Sequence, residues 1–130
     1  MNNKGNIAST CLQKTLQQGR FPIYCRGGKT PSQLRNMSGC IYYRAMTKYD
    51  KVRVGVAECR NGSIYIFCRS KQKYLSNMKS YCKNLGFFLE QTHDKLGKEI
   101  KTAFKFKVQN PNIDNLLEIQ TNILEYFENL

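Results

Sequence analysis

The chain has 130 residues, 41% of them hydrophobic, with 21 Lys or Arg against nine Asp or Glu. That length suits a single domain, that apolar share suffices for a core and excludes disorder throughout, and no apolar run approaches membrane-spanning length. All 21 cations and five of the carboxylates precede residue 111, so the first 110 residues carry a formal +16 and the last twenty −4.

Residues 1–10 are polar and lack the apolar stretch of a secretion signal. They are expected to form a flexible N-terminal arm of a cytoplasmic or otherwise intracellular protein, with residues 11–130 as a single basic α+β domain. Cys11 to Gln18 suits a short helix with Leu12 and Leu16 on one side, ended by Gly19. Phe21 to Cys25 reads as an extended segment, with Pro22 favouring a sheet edge. Arg26-Gly27-Gly28-Lys29 follows as a turn.

Pro31 is placed to open a helix capped by Thr30 or Ser32. Leu34, Met37, Ile41 and Ala45 recur at spacings of three and four, which predicts that this helix runs to about Thr47. Val52 to Arg69 predicts a β-hairpin around Asn61-Gly62, with a two-residue type I′ turn. That register sets Cys59 opposite Ile64, Ala57 opposite Ile66 and Gly55 opposite Cys68. Cys59 and Cys68 then share a face about 13 Å apart, too far for a disulfide.

Ser70 opens a helix to about Asn84, whose stripe is Tyr74, Leu75, Met78, Tyr81, Cys82 and Leu85; Gly86 is its stop. Phe87 to Thr92 predicts a strand and residues 93–97 a loop. Glu99 to Val108 alternates, with Thr102, Phe104, Phe106 and Val108 on one face and Lys101, Ala103, Lys105 and Lys107 on the other. The last helix, residues 112–129, is acidic and amphipathic. From residue 31 the order is α-β-β-α-β-β-α. It implies an α+β single domain with an antiparallel sheet of about four strands packed against helices.

Six cysteines occur at wide spacings without CxxC, which favours reduced core thiols over structural zinc. No cofactor box is present and no metal or cofactor is expected. The basic balance points to a polyanion. Candidate contacts are the ladder Lys101, Lys105 and Lys107, which also suits edge protection. A second group is the helix row Lys71, Lys79 and Lys83, with Lys71 opposing the helix dipole. Arg20, Arg26, Lys29 and Arg35 surround the glycine pair as a third. Tyr43 and Tyr49 have the weakest place in a core stripe and are the candidates for stacking on bases.

The expectation is a small nucleic-acid-binding protein that contacts the phosphate backbone of DNA or RNA, with single strands or RNA favoured by the tyrosines. The same charge serves an inhibitor or adaptor of a mobile element that grips an acidic protein. A small nuclease is the third reading, using either a metal between Glu58 and Glu90 or His93 without metal. The terminal helix is expected to cap the sheet within the chain, with a homodimer contact as the alternative.

Overall fold

The computed structural model describes residues 6–25, 41–59, 61–94 and 96–130. Helix α1 is Asn6–Gln18, followed by strands β1 (Ile23–Cys25), β2 (Ile41–Met46), β3 (Val52–Glu58) and β4 (Ile64–Ser70). Helix α2 is Gln72–Asn84, then come β5 (Glu90–His93), β6 (Glu99–Lys107) and helix α3 (Ile113–Glu128). The six strands form one antiparallel sheet in the order β1-β2-β3-β4-β6-β5. It is an α+β domain with a wider sheet than the four strands expected.

One face of the sheet is apolar. Tyr43 and Ala45, Val52, Val54 and Val56, Ile64, Ile66 and Cys68, and Phe104 and Phe106 are all buried there. The three helices cover it with Ala8, Cys11 and Leu12, with Leu75, Met78 and Cys82, and with Leu116, Ile119, Ile123, Leu124 and Phe127. Each set follows helical spacing, so burial of one stripe fixes each helix on the sheet. Among the described residues the two edges are short: β1 has three residues, and β5 has four with a register irregularity between Gln91 and His93.

Three expectations change. Residues 6–10, given to the arm, are helical, and Ala8 is buried; Leu16, placed on one side of the helix with Leu12, is 47% exposed while Leu12 is buried. The carboxylate of Glu58 accepts from the Ala8 N–H at 2.9 Å, so β3 anchors the first turn of α1. Residues 41–46, given to a helix, are β2. Ile41 and Ala45 are four apart, a spacing that serves a helix and an alternating strand alike, and pairing with β1 and β3 decides between them. The proposed start of that helix, residues 31–40, lies outside the described residues.

The third change is the hairpin register. Glu58 pairs with Ile64, Val56 with Ile66 and Val54 with Cys68, one residue away from the expected register. Among the glycine-turn residues described, only Gly62 takes positive φ, at 89°. The turn closes through Gly62 N–H to the Cys59 carbonyl and Cys59 N–H to the Ser63 carbonyl, both 2.9 Å. This is a three-residue connection with glycine in its left-handed position, not a type I′ turn. A one-residue slip exchanges the two faces of a strand. Cys59 and Cys68 consequently lie on opposite faces, and no disulfide joins them.

The acidic helix α3 caps the sheet within the chain. Its Gln120 joins a buried chain of hydrogen bonds: Tyr43 Oη donates to Gln120 Oε1, Gln120 Nε2 donates to Thr15 Oγ1 at 3.1 Å, and Thr15 Oγ1 donates to the Cys11 carbonyl at 2.7 Å. Arg20 pairs with Glu125 at 2.9 Å, and the Lys48 N–H donates to Glu128 Oε1 at 2.7 Å. Among the described residues no helix is long and apolar enough to cross a membrane.

Candidate functional site

The outer face of the sheet, opposite the helices, follows from the register. Tyr24 lies beside Arg44. Tyr42 lies opposite Ala57, which lies opposite Tyr65, which lies opposite Lys107. Gly55 lies opposite Phe67, and Phe67 opposite Lys105. Met46, Arg53, Arg69 and Ala103 make the next row. The central strand thus presents only Gly55 and Ala57 along its middle. That leaves a trough walled by aromatic and cationic side chains from β2, β4 and β6.

Gly55 is required for more than the trough. A Cβ built there would stand 1.7 Å from the Tyr43 carbonyl oxygen, so β3 and β2 approach too closely for any side chain.

Arg44 occupies the centre. It is only 7% exposed, and its guanidinium lies 4.5 Å from the Phe67 ring centroid, 5.1 Å from Tyr42 and 5.5 Å from Tyr24. Tyr42 and Phe67 themselves stack at 6.0 Å. No carboxylate among the described residues pairs with Arg44, and its Nε has no hydrogen-bond partner there. Burial holds its pKa below the usual arginine value, and Arg69 and Arg53 lower it further against a raising influence from Tyr42. Two more cations sit on the platform: Lys105 Nζ is 4.5 Å from the Tyr65 centroid and Lys107 Nζ 5.8 Å.

A cleft of about 370 Å³ runs over this face from Tyr42 and Arg44 on β2, past Phe67 and Tyr65, to Thr92 and His93 on β5. Thr92 is 5% exposed, and its Oγ1 also lacks a hydrogen-bond partner among the described residues. Buried polar atoms are normally satisfied, so an unpaired Arg44 Nε and Thr92 Oγ1 along one cleft mark places where a ligand's polar atoms fit.

The residues expected from sequence divide into separate groups. Lys101, Lys105 and Lys107 lie on β6, with Lys105 and Lys107 beside Tyr65 on the outer face. Lys71 lines a second cleft with Asp50, Lys51, Arg53, Arg69 and Ser70. Lys79 and Lys83 instead share a cleft with Glu90 and Glu99 at the α2–β5 side, where carboxylates offset them. Arg20 is held by Glu125 and lies over Phe21. Arg26, Lys29 and Arg35 lie outside the described residues.

Tyr43 is corrected: it is 1% exposed and hydrogen-bonded to Gln120, so its ring cannot meet a base. Its place in β2 points it inward, which the expected helix hid. Tyr49 is 70% exposed in the β2–β3 turn, with Lys48 Nζ 5.5 Å from its ring centre.

Glu58 and Glu90 do not meet. They lie on β3 and β5, three strand spacings and so at least about 14 Å apart. Glu58 is occupied at the N-terminus of α1. Among the described residues no group of three or more His, Cys, Asp or Glu is placed to hold a metal ion.

The residues that sequence reasoning missed are Tyr24, Tyr42, Arg44, Arg53, Tyr65, Phe67 and Arg69. Their signal is Arg53-x-Gly55-x-Ala57 facing Tyr65-x-Phe67-x-Arg69, visible only once the turn is given three residues. The chain matches no protein-family model, and no match was found among curated proteins or solved structures.

Proposed function

We propose that the protein binds single-stranded nucleic acid across the outer face of its sheet. The observation that carries this reading is the joining, on one face, of four aromatic rings (Tyr24, Tyr42, Tyr65, Phe67) with the lysines of β6 and a buried Arg44 that has no carboxylate ion pair among the described residues. Unpaired bases offer flat π-faces to such rings, and phosphates offer charge to the cations between them. A duplex hides its bases, and an acidic protein surface needs cations but no row of rings. The cleft crosses four strand spacings, about 19 Å, room for about five nucleotides at the rise of a stacked strand.

The test is fluorescence anisotropy with one labelled sequence as single strand and as duplex, over a series of salt concentrations. The single strand binds tighter, with affinity falling as salt rises. F67A weakens it about 5- to 100-fold, the worth of one stacked base. Because the chain contains no tryptophan, quenching of tyrosine emission reports the stacking directly. Equal or tighter duplex binding, or F67A binding like the unaltered protein, overturns the reading.

A further inference from the structure

The second cleft, about 240 Å³, lies where β4 passes into α2 and is lined by Asp50, Lys51, Arg53, Arg69, Ser70 and Lys71. We propose that it receives a terminal phosphate monoester of the strand bound on the outer face; the inference rests on the strand-binding reading.

Four cations meet one carboxylate here. Asp50 is already gripped by Arg53 through two contacts, at 3.0 and 2.9 Å. Lys51 Nζ is turned to the carbonyl oxygens of Phe127 and Leu130, at 3.3 and 3.1 Å. Arg69 and Lys71 have no ion pair among the described residues. Arg53 and Arg69 are direct cross-strand partners, an arrangement that costs stability unless an anion lies between such charges. Arg53 holds the Asp50 carboxyl below its usual range, and Lys71 and Arg69 add to that effect, so the local field is positive.

The helix end adds directed donors. Lys71 opens α2 without a side-chain cap, and the first turn holds no acidic residue. An uncapped N-terminus favours an anion. Independently of the helix, Arg53, Arg69 and Lys71 converge on this one cleft, and only Asp50 among its lining residues carries a negative charge.

Charge selects the monoester. A phosphodiester carries one negative charge, whereas a phosphate monoester approaches two at neutral pH. That matches the two unpaired cations, Arg69 and Lys71. The Arg53–Arg69 row is two residues along the strands from the Arg44–Phe67 position, about 7 Å, so a strand end placed here keeps its neighbouring base on the platform.

The test compares one internally labelled short strand bearing a 5′-phosphate, a 3′-phosphate or neither. One phosphorylated form binds about tenfold tighter than the unphosphorylated strand. R69A and K71A each cut that preference to about twofold or less, and K71A, which lies off the outer face, leaves affinity for the unphosphorylated strand within about threefold. Equal affinity of the three strands, or a preference that survives both substitutions, overturns the proposal. If no strand binds at all, the strand reading fails by itself. The cleft is then judged with inorganic pyrophosphate: shifts of the Ser70, Lys71 and Gln72 amide resonances, absent in K71A, sustain it as a phosphate site, and unmoved resonances overturn it.

Discussion

The guanidinium of Arg44 lies over the ring of Phe67, 4.5 Å from its centre, reaching across the strand position that Gly55 leaves without a side chain. A cation buried against rings, with no carboxylate beside it among the described residues, does little for stability, because its desolvation is not offset by a partner.

Replacing Arg44 with Met therefore separates folding from binding. The variant keeps its unfolding free energy, measured by urea denaturation, within about 1 kcal/mol, or gains slightly. Its affinity for a single-stranded oligonucleotide falls about tenfold. A destabilised variant with normal affinity would contradict the role given to Arg44.

Gly55→Ala acts in the opposite sense. Its Cβ would overlap the Tyr43 carbonyl, which belongs to the neighbouring strand backbone and cannot rotate away. A loss of about 2–3 kcal/mol in chemical denaturation is expected. Gly62→Ala serves as the comparison: nothing lies within 4 Å there, and only its positive φ opposes a side chain, so it should cost about 1 kcal/mol.

Tyr43→Phe keeps the ring and removes the hydroxyl that donates to Gln120. It leaves a buried amide oxygen without its donor, at a cost of about 1–2 kcal/mol in unfolding free energy. Oligonucleotide affinity is unchanged, since this ring lies on the helix side of the sheet. A fall in affinity without a fall in stability would restore Tyr43 to the binding surface.

Alkali should destabilise the fold in a defined way. Burial, with Glu58 nearby, pushes the Cys11 thiol from its ordinary 9.0 up to about 12, and burial raises Cys68 and Tyr43 as well. A group whose folded pKa exceeds its unfolded value keeps the full stability below the unfolded pKa. That stability is lost as pH rises toward the folded one. Urea midpoints should be flat to about pH 8.5 and then fall, with Cys11 alone contributing about 1.4 kcal/mol per pH unit between 9 and 12. Native alkylation followed by mass spectrometry gives a second readout. Among the four cysteines whose burial is described, half-buried Cys59 reacts first, and Cys11, Cys68 and Cys82 react only on unfolding.

The fold class was legible because long periodic segments declare themselves. Leu75, Met78 and Cys82 on α2, and Phe104 and Phe106 against Lys105 and Lys107 on β6, follow from spacing alone. The β2 strand was not legible, since Ile41 and Ala45 satisfy both periods and only their pairing partners choose. The candidate face was lost to one residue of turn length. With Gly62 taken as part of a two-residue turn, Val54 and Val56 fall beside Tyr65 and Phe67, and both hairpin faces look apolar. With the three-residue turn, the arginines and aromatics collect on one side. Arg44 could not be found at all while its segment read as helix. Lys105 and Lys107 were found because their strand alternates without ambiguity.

The sheet's short flanks have a bearing on crowding. A three-residue strand at one margin and an irregular four-residue strand at the other offer little ladder for a second copy to extend. Copies at high local concentration therefore remain separate folded units instead of fusing edge to edge into a common sheet.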